Sequence, residues 1–281
     1  MQWRGRAGSR NIEDRRQMRG GGAKIGGIGA VAVVLIAMFL GVDPRLLLDM
    51  GGQGVPNGAP REMSAQEQEM AQFVSVVLAD TETIWAQNFR QELNQPYNPP
   101  KLVLFSEATQ SACGGATAAT GPFYCPADRK VYLDTAFFGV MAQQLGAKGD
   151  FAAAYVVAHE VGHHIQQELG ILSQVNALRA RVSEVESNQL SVKVELQADC
   201  LAGIWARGAE ASLGVLDPGD IEEAMNAASR IGDDTLQRNA GRRPMPDSFT
   251  HGSSAQRMRW FEIGYQSEKI ARCDTFSAKN L

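Results

Sequence analysis

The segment at residues 150–169 constrains the fold more than any other part of the chain. It is rich in alanine and valine and carries His159 and His163 within the stretch FAAAYVVAHEVGHH. Asp150 can cap the start of a helix and Gly170 can follow its end, so the two histidines lie on one helical face, four residues apart. The composition indicates a buried helix. We therefore predict a core helix that presents two imidazoles on one face.

Two imidazoles at this spacing can bind one metal ion. Neutral imidazole is a good ligand for Zn²⁺, and a catalytic zinc site has three protein ligands and one further position for water. Glu160, next to the first histidine, is placed to take a proton from that water as general base. His164 points about 100° away around the helix, so we do not expect it to be a ligand.

A pair of carboxylates downstream supplies the remaining predicted roles. The stretch ELQAD places Glu195 and Asp199 four residues apart on a second, largely apolar helix. We predict Glu195 as the third ligand, in preference to Glu184 or Glu186, which lie in a more evenly charged stretch. Asp199 is expected to accept a hydrogen bond from the outer ring nitrogen of His159, which would fix the tautomer of that ring.

An uncharged run at residues 25–42, IGGIGAVAVVLIAMFLGV, predicts a membrane anchor. It is just long enough to cross a hydrocarbon core of about 30 Å. The preceding residues are mainly basic, so the positive-inside rule keeps the N-terminus cytoplasmic and places the rest of the chain outside the cytoplasm. A cleaved signal peptide is the alternative, and the length of the run argues against it.

The chain is expected to divide at this anchor. We predict a basic cytoplasmic arm at 1–24, the transmembrane anchor at 25–42, a flexible linker at 43–63 and one folded domain at 64–281. The domain is predicted to begin with an amphipathic helix capped by Ser64. Short strands are predicted at 101–105, 123–125 and 130–134. Further helices are predicted at 135–145, 195–207, 218–231 with Asp217 as its cap, and 253–269.

Overall charge argues against one class of partner, and cysteine spacing argues against a structural zinc site. A formal net charge of −4 and an isoelectric point near 5.7 give no basic field, so we expect no nucleic-acid partner. The four cysteines lack the paired spacing of a structural zinc site, and outside the cytoplasm they are expected to form disulfides. Of the three possible pairings we predict Cys113 with Cys125, which bracket a short loop, and Cys200 with Cys273. Cys200 as a zinc ligand is the weaker alternative.

The motifs resemble those of known zinc peptidases. HEVGH followed by ELQAD is similar to the gluzincins, in which a downstream glutamate is the third zinc ligand and an aspartate four residues on supports the first histidine. With the basic arm, the anchor, ACGGATAATGPFYCPADRKVYLD, HEVGHHIQ, ELQADCLAG and SFTHGSSAQR, nearly the whole chain resembles the bacterial putative neutral zinc metallopeptidase family. The resemblance implies an α+β, mainly helical zincin-like metallopeptidase domain with a small β-sheet and Zn²⁺ as cofactor.

The stretch THGSSAQR is similar to the Thr-His-Pro context in which membrane-associated gluzincins carry a histidine and an arginine six apart. Carried over, His251 would donate a hydrogen bond to the oxyanion of the tetrahedral intermediate, although Gly252 replaces the proline. The alternative is that His251 caps the helix beginning near Ser253. Arg257 would hold a carboxylate near the site or pair at the surface, and the sequence leaves both open.

We therefore expect a membrane-anchored zinc metallopeptidase that hydrolyses peptide or protein substrates. It would lie in the bacterial inner (cytoplasmic) membrane with its catalytic domain periplasmic or extracellular, and the strand at 130–134 would be the sheet edge for substrate. Bound Zn²⁺ would lower the pKa of water toward 7, and Glu160 would pass its proton to the leaving amine. The alternatives are a non-catalytic, zinc-stabilised, membrane-tethered binding module, which Glu160 argues against, and an amidase acting on cell-wall material.

Overall fold

The computed structural model describes residues 1–17, 62–117 and 120–281. The transmembrane anchor predicted at 25–42 lies outside these ranges, as does most of the linker predicted at 43–63. Across the ranges described, no helix is both long enough and apolar enough to span a bilayer.

The described chain is mainly helical, with a small sheet and a separate hairpin, in agreement with the predicted α+β class. The strands are β1 (Ile12–Asp14), β2 (Lys101–Phe105), β3 (Ala108–Ser111), β4 (Gly114–Thr117), β5 (Phe123–Cys125) and β6 (Lys130–Asp134). The helices are α1 (Ala65–Asn88), α2 (Ala136–Gln144), α3 (Asp150–Glu168), α4 (Ile171–Arg179), α5 (Glu184–Gly208), α6 (Asp220–Arg230), α7 (Asp233–Asn239) and α8 (Ser254–Ser267).

The main sheet has the strand order β1-β2-β6-β5, in which β5 runs antiparallel to the other three. β2 and β6 lie inside this sheet and are buried over residues 102–105 and 131–134. Strands covered on both faces read as short continuous apolar runs, which is why the sequence predicted both at the correct residues. Since β6 is an interior strand, the expectation that residues 130–134 form a sheet edge is wrong; β1 and β5 occupy the edges.

The first seventeen residues pack on the domain. Ile12 and Asp14 of β1 pair with the parallel strand β2. Trp3 is buried against Phe73 of α1, with ring centroids 5.5 Å apart. The separate basic arm predicted at 1–24 is therefore corrected for residues 1–17. The sequence did not predict β1, because a strand of three residues is too short to show a periodicity and the surrounding residues are mainly basic.

This packing bears on the predicted topology. Arg6 donates to both carboxylate oxygens of buried Asp80 on α1, at 2.7 and 2.5 Å, so the arm is held by charge as well as by strand pairing. Paired strands must lie on the same side of any membrane. A chain that crossed a bilayer once between residues 17 and 62 would place β1 and β2 on opposite sides, so the predicted cytoplasmic arm with an external domain does not agree with this pairing.

The predicted helices are present, and several of their ends differ. Ser64 and Ser253 each form a capping box, at the starts of α1 and α8. Asp217 is not a helix cap, because α6 begins later and Gly219 holds the N-cap position. The helix predicted at 195–207 is the second half of the longer α5, and the short helices α4 and α7 were not predicted.

The start of α3 shows how a cap can come from elsewhere in the chain. Gly149 holds the N-cap position, with φ 105°, and Asp150 is the first helical residue and not the predicted cap. Glu223 of α6 accepts a hydrogen bond from the backbone N–H of Phe151 at 3.0 Å. This carboxylate therefore satisfies one of the free N–H groups at the helix start, and no local sequence pattern indicates it.

Helix α5 is central to the fold, because it packs against both α3 and α8. At the crossing with α8, Gly203 lies against the backbone of Phe261, and Gly264 lies against the backbone of Cys200. A Cβ atom at either glycine would overlap the facing backbone, so these two positions allow the close approach. The crossing fixes α8, which carries Arg257, beside α5.

Two disulfides join Cys113 to Cys125 and Cys200 to Cys273, which confirms both predicted pairings. The first links the turn between β3 and β4 to the end of β5. The second links the middle of α5 to a 3₁₀ turn near the C-terminus, Ile270–Cys273. Because Cys200 is bonded to Cys273, the alternative that it is a metal ligand is excluded.

His164 attaches α3 to the sheet and is not directed to the predicted metal ligands. Its Nε2 lies 2.6 Å from the carbonyl oxygen of Asn98, and its Nδ1 lies 3.1 Å from the hydroxyl of Tyr124. A carbonyl can only accept, so Nε2 carries the hydrogen and Nδ1 accepts from the tyrosine. Burial lowers the pKa of His164 to about 4, despite the opposing effect of the bond to Asn98. The ring is therefore neutral at pH 7.

This burial predicts a loss of stability in mild acid. The pKa of His164 is about 4 in the folded chain, below its ordinary value of 6.5, so the stability that the neutral ring contributes is complete above pH 6.5 and is lost as the pH falls through 4. The loss amounts to about 3 kcal/mol. We expect the free energy of unfolding between pH 7.5 and 4 to fall more steeply for the wild type than for His164→Gln. Parallel curves would contradict this assignment.

The pairing of β1 with β2 predicts a labelling result in intact cells. A cysteine placed at exposed Arg10 and one placed at exposed Lys148 should react with a membrane-impermeant maleimide from the same side, or both should be protected. The native cysteines are in disulfides and should give no background if the domain lies outside the cytoplasm. Labelling of one position without the other would contradict the pairing in the cell.

Candidate metal centre

The candidate site forms where α3 and α5 cross closely. Gly162 of α3 faces the backbone of Ala198 on α5, and a Cβ at Gly162 would lie 3.0 Å from the Ala198 carbonyl oxygen. Such a contact is tighter than side chains normally make, so a larger residue would push the helices apart. The crossing places His159 and His163 of α3 opposite Glu195, three residues before Ala198.

Three predicted ligands meet at this crossing. His159 Nε2 lies 3.1 Å from one carboxylate oxygen of Glu195, and His163 Nε2 lies 3.6 Å from the other. One atom from each of the three side chains lies within 4.8 Å of the others. Burial alone would raise the pKa of Glu195, but the two histidines and His251 hold it well below its ordinary value. The carboxylate is therefore ionised and available to a cation.

Asp199 lies where the sequence predicted it, behind His159. Its Oδ1 is 2.8 Å from His159 Nδ1 and also accepts a hydrogen bond from the Tyr155 hydroxyl at 2.5 Å. Because an ionised carboxylate only accepts, Nδ1 carries a hydrogen, and in the neutral ring the lone pair is therefore on Nε2, the atom that faces Glu195. The tautomer of this ring is thus set by Asp199.

Arg257 of α8 compensates the buried charge of Asp199. Its Nε and Nη2 donate to the two carboxylate oxygens at 2.8 and 2.9 Å, and both side chains are almost fully buried. Burial alone would raise the pKa of Asp199, but Arg257 and then His159 lower it to about 2. The structure therefore decides the question that the sequence left open, since Arg257 holds a carboxylate at the site and does not pair at the surface.

Glu160 is buried beside the three candidate ligands, with 8% of its surface exposed. Within the part of the chain that the structure describes, its carboxylate makes no hydrogen bond or ion pair. Burial raises the pKa of Glu160 above its ordinary value, and the charges of His163 and His159 oppose this only in part. A carboxylate with a raised pKa can exchange a proton nearer to neutral pH.

His251 lies beside α5, because Gly252 packs against Val192 and Leu196 of that helix. Ser253 is the cap of α8, so the alternative that His251 caps this helix is excluded. Burial alone would lower the pKa of His251, but its hydrogen bond to Asp233 and the charge of Glu195 raise it. The side chain is 48% exposed, so solvent moderates this effect.

Asp233 fixes the loop that carries His251, and no sequence pattern indicates this role. One oxygen of its fully buried carboxylate accepts from the backbone N–H groups of Thr250, His251 and Gly252, at 2.8, 2.7 and 2.9 Å. The other lies 3.3 Å from His251 Nδ1. The imidazole is therefore anchored through Nδ1, and its Nε2 has no hydrogen bond to another described residue.

Two alternatives for the third ligand are excluded by position. Glu184 and Glu186 lie in the first turn of α5, about three and two and a half helical turns before Glu195. Glu186 completes a capping box with Ser183. Both residues are exposed, and their role is at the helix start.

A second group of carboxylates, Asp150, Asp220 and Glu223, also lies close together. The amino group of Met1 is 2.8 Å from Asp150 and 3.4 Å from Asp220. Glu223 accepts from the backbone of Phe151, as described above. These carboxylates therefore have partners within the chain.

The donors at the crossing fit Zn²⁺. Two imidazole nitrogens and one carboxylate oxygen are a known ligand set of catalytic zinc. The outer nitrogen of His159 is bonded to Asp199, as expected for a ligand ring. His163 and Glu195 keep 13% and 18% of their side-chain surface exposed, so the site is open to solvent.

The chain belongs to the family described as putative neutral zinc metallopeptidases, whose model matches residues 1–276. It is 47% identical to the uncharacterized protein YpfJ of Escherichia coli K12 over 287 residues, 98% of this chain and 99% of that protein. It is 39% identical to the uncharacterized protein Rv2575 of Mycobacterium tuberculosis H37Rv over 263 residues, 87% of this chain and 86% of that protein. No solved structure matches significantly.

The ion pair behind His159 predicts a large stability effect. Removing one member of a buried pair leaves an uncompensated charge, so Arg257→Met should lower the free energy of unfolding by about 3–5 kcal/mol. Adding Asp199→Asn to this variant should recover part of the loss. The matched control is Arg259→Met on the exposed face of α8, expected within about 0.5 kcal/mol of the wild type. Denaturant unfolding of the full chain measures all four, and equal effects of the two arginine variants would contradict the pairing.

Proposed function

We propose that this protein is a zinc-dependent peptidase that hydrolyses peptide bonds, with His159, His163 and Glu195 as the metal ligands. The observation that carries the proposal is the convergence of these three side chains, with the buried carboxylate of Glu160 near enough to interact with their charges. A purely structural zinc site would have no use for an unpartnered acid at that position, and it would close its fourth coordination position with another cysteine or histidine.

Bound Zn²⁺ would supply Lewis-acid activation of water and of the substrate carbonyl. Glu160 accepts the proton that the attacking water loses and then delivers it to the nitrogen of the leaving amine. Its burial suits both steps, because a raised pKa brings the two protonation states closer in energy at neutral pH.

His251 is the proposed donor to the oxyanion that develops on the substrate carbonyl. Its Nδ1 is held by Asp233, which leaves Nε2 for the substrate. The negative charge of Glu195 favours the protonated ring, which is the form that can donate through both nitrogens. A donor in this role contributes about 2.7–4 kcal/mol to transition-state stabilisation in well-studied hydrolases.

We also propose that the protein is attached to a membrane through the apolar run at 25–42. The support is the length of that run and the absence of charge within it. The ladder between β1 and β2 adds a condition, since residues 17 and 62 would both lie on the side of the membrane that holds the domain. The attachment we propose therefore does not carry the N-terminal residues across.

The proposed role of Glu160 predicts a separation of metal binding from catalysis. Glu160→Gln removes the general base and keeps the size of the side chain, so casein cleavage should fall by at least 100-fold while zinc content stays near one per chain. Metal analysis by mass spectrometry and casein cleavage with and without chelator measure both in the full-length protein. Glu184→Gln, at an exposed position on α5, is the matched control and should leave both unchanged.

Each other outcome has a definite meaning. Cleavage that survives in Glu160→Gln with zinc bound would contradict the mechanism. Zinc binding by the wild type without cleavage of casein or other peptides would favour a binding module or an amidase of cell-wall material. A wild type that binds no zinc would overturn the proposal as a whole.

A further inference from the structure

We propose that Gln166 is a positioning residue of the metal centre, which holds the ring of His163 as Asp199 holds the ring of His159. This inference rests on the proposed function in that His163 is taken as a zinc ligand. The side-chain oxygen of Gln166 lies 2.9 Å from His163 Nδ1, and Gln166 is fully buried. No sequence motif for metal sites assigns a role to this position.

The neighbours of Gln166 determine which way its amide faces. Its nitrogen lies 2.7 Å from the backbone carbonyl oxygen of Val194, which can only accept, and 3.0 Å from the side-chain oxygen of Gln197. If the amide were flipped, its oxygen would face the Val194 carbonyl with no hydrogen between them. The nitrogen therefore points toward Val194, and the oxygen must point toward His163.

The orientation of Gln197 is fixed in the same way. Its amide nitrogen lies 2.9 Å from the backbone carbonyl oxygen of Cys273, so its oxygen faces Gln166. Cys273 is bonded through its disulfide to Cys200, three residues after Gln197 on α5. Two amides in series thus connect His163 to a carbonyl group that the disulfide holds in place.

This chain of amides determines the tautomer of His163. The Gln166 oxygen can only accept, so His163 Nδ1 carries a hydrogen, and in the neutral ring the lone pair lies on Nε2, the atom that faces Glu195. Ligand histidines generally donate their outer N–H to such an acceptor, and loss of the acceptor costs about 10–100-fold in metal affinity or activity.

A neutral acceptor suits this side of the site. Glu160, Glu195 and Asp199 already place three carboxylates around the two histidines, and Arg257 compensates only Asp199 directly. A fourth buried carboxylate would add uncompensated negative charge at high cost. An amide orients the ring without this cost, and its nitrogen also donates hydrogen bonds that join α3 to α5.

The competing explanation is that Gln166 only joins the two helices. The two roles separate in a pair of variants. Gln166→Met removes the acceptor for His163, whereas Gln166→Glu keeps an acceptor and loses the N–H donors to Val194 and Gln197. A structural role predicts equal zinc affinity in both folded variants, and a positioning role predicts that only Gln166→Met binds zinc weakly.

The experiment measures the zinc dissociation constant of the full-length protein by competition with a chromophoric chelator. We expect Gln166→Met to weaken zinc binding by about 10–100-fold. Gln166→Glu should bind zinc no more than about threefold more weakly than the wild type, because its carboxylate still accepts from His163 and bound Zn²⁺ offsets the added charge, whose cost falls on the stability of the metal-free protein. Gln167→Met, one residue further along α3, is the matched control and should bind as the wild type does. Zinc affinity equal to wild type in Gln166→Met would overturn the proposal.

A second measurement does not depend on zinc. Nitrogen chemical shifts of His163, recorded at a pH where the ring is neutral, should report hydrogen on Nδ1 in the wild type and a mixture of tautomers in Gln166→Met. Failure of the wild type to bind zinc would overturn the proposed function, and the tautomer would then decide the positioning role by itself. The same tautomer mixture in both proteins would overturn that role.

Discussion

The close contact between α3 and α5 at Gly162 is the constraint on which the site depends. His159 and His163 are one helical turn apart on α3, and Glu195 and Asp199 are one turn apart on α5. These carboxylates reach the histidines only if the two helix backbones nearly touch. At this distance Glu195 reaches both histidines, and Asp199 reaches the far side of one of them. The site is therefore built from core packing, and its geometry is as rigid as that packing.

The buried carboxylates of this site need cations or hydrogen-bond donors to stabilise their charge, and these come from several parts of the chain. Asp199 is stabilised by Arg257 of α8, and Asp233 of α7 is stabilised by the three N–H groups that it orders. Glu160 makes no hydrogen bond or ion pair with described residues, and it is the group whose proposed task needs a mobile proton. The contrast separates carboxylates that hold the structure from the one that is available for chemistry.

The sequence predicted the parts of this molecule that rest on local patterns. The apolar runs of β2 and β6, the capping boxes at Ser64 and Ser253, and the histidine spacing on α3 all act within a few residues. Asp233 and Gln166 were missed because their roles arise from segments that meet only in the folded chain. The type of a polar residue does not identify a hydrogen-bond partner that is distant in sequence. Arg257 was predicted in part: the sequence indicated that it could bind a carboxylate, but not that the carboxylate is Asp199.

The attachment of residues 1–17 has a further consequence for the integrity of the chain. They are held by a strand ladder, the Arg6–Asp80 pair and the burial of Trp3, and by no covalent link except the segment at 18–61. A protein cut once within that segment would remain assembled as a peptide bound to a larger fragment. The two fragments would therefore form a complementation pair. If the peptide dissociated, the free edge of β2 would become a template for another strand, so a domain that lacks residues 1–17 would be prone to self-association.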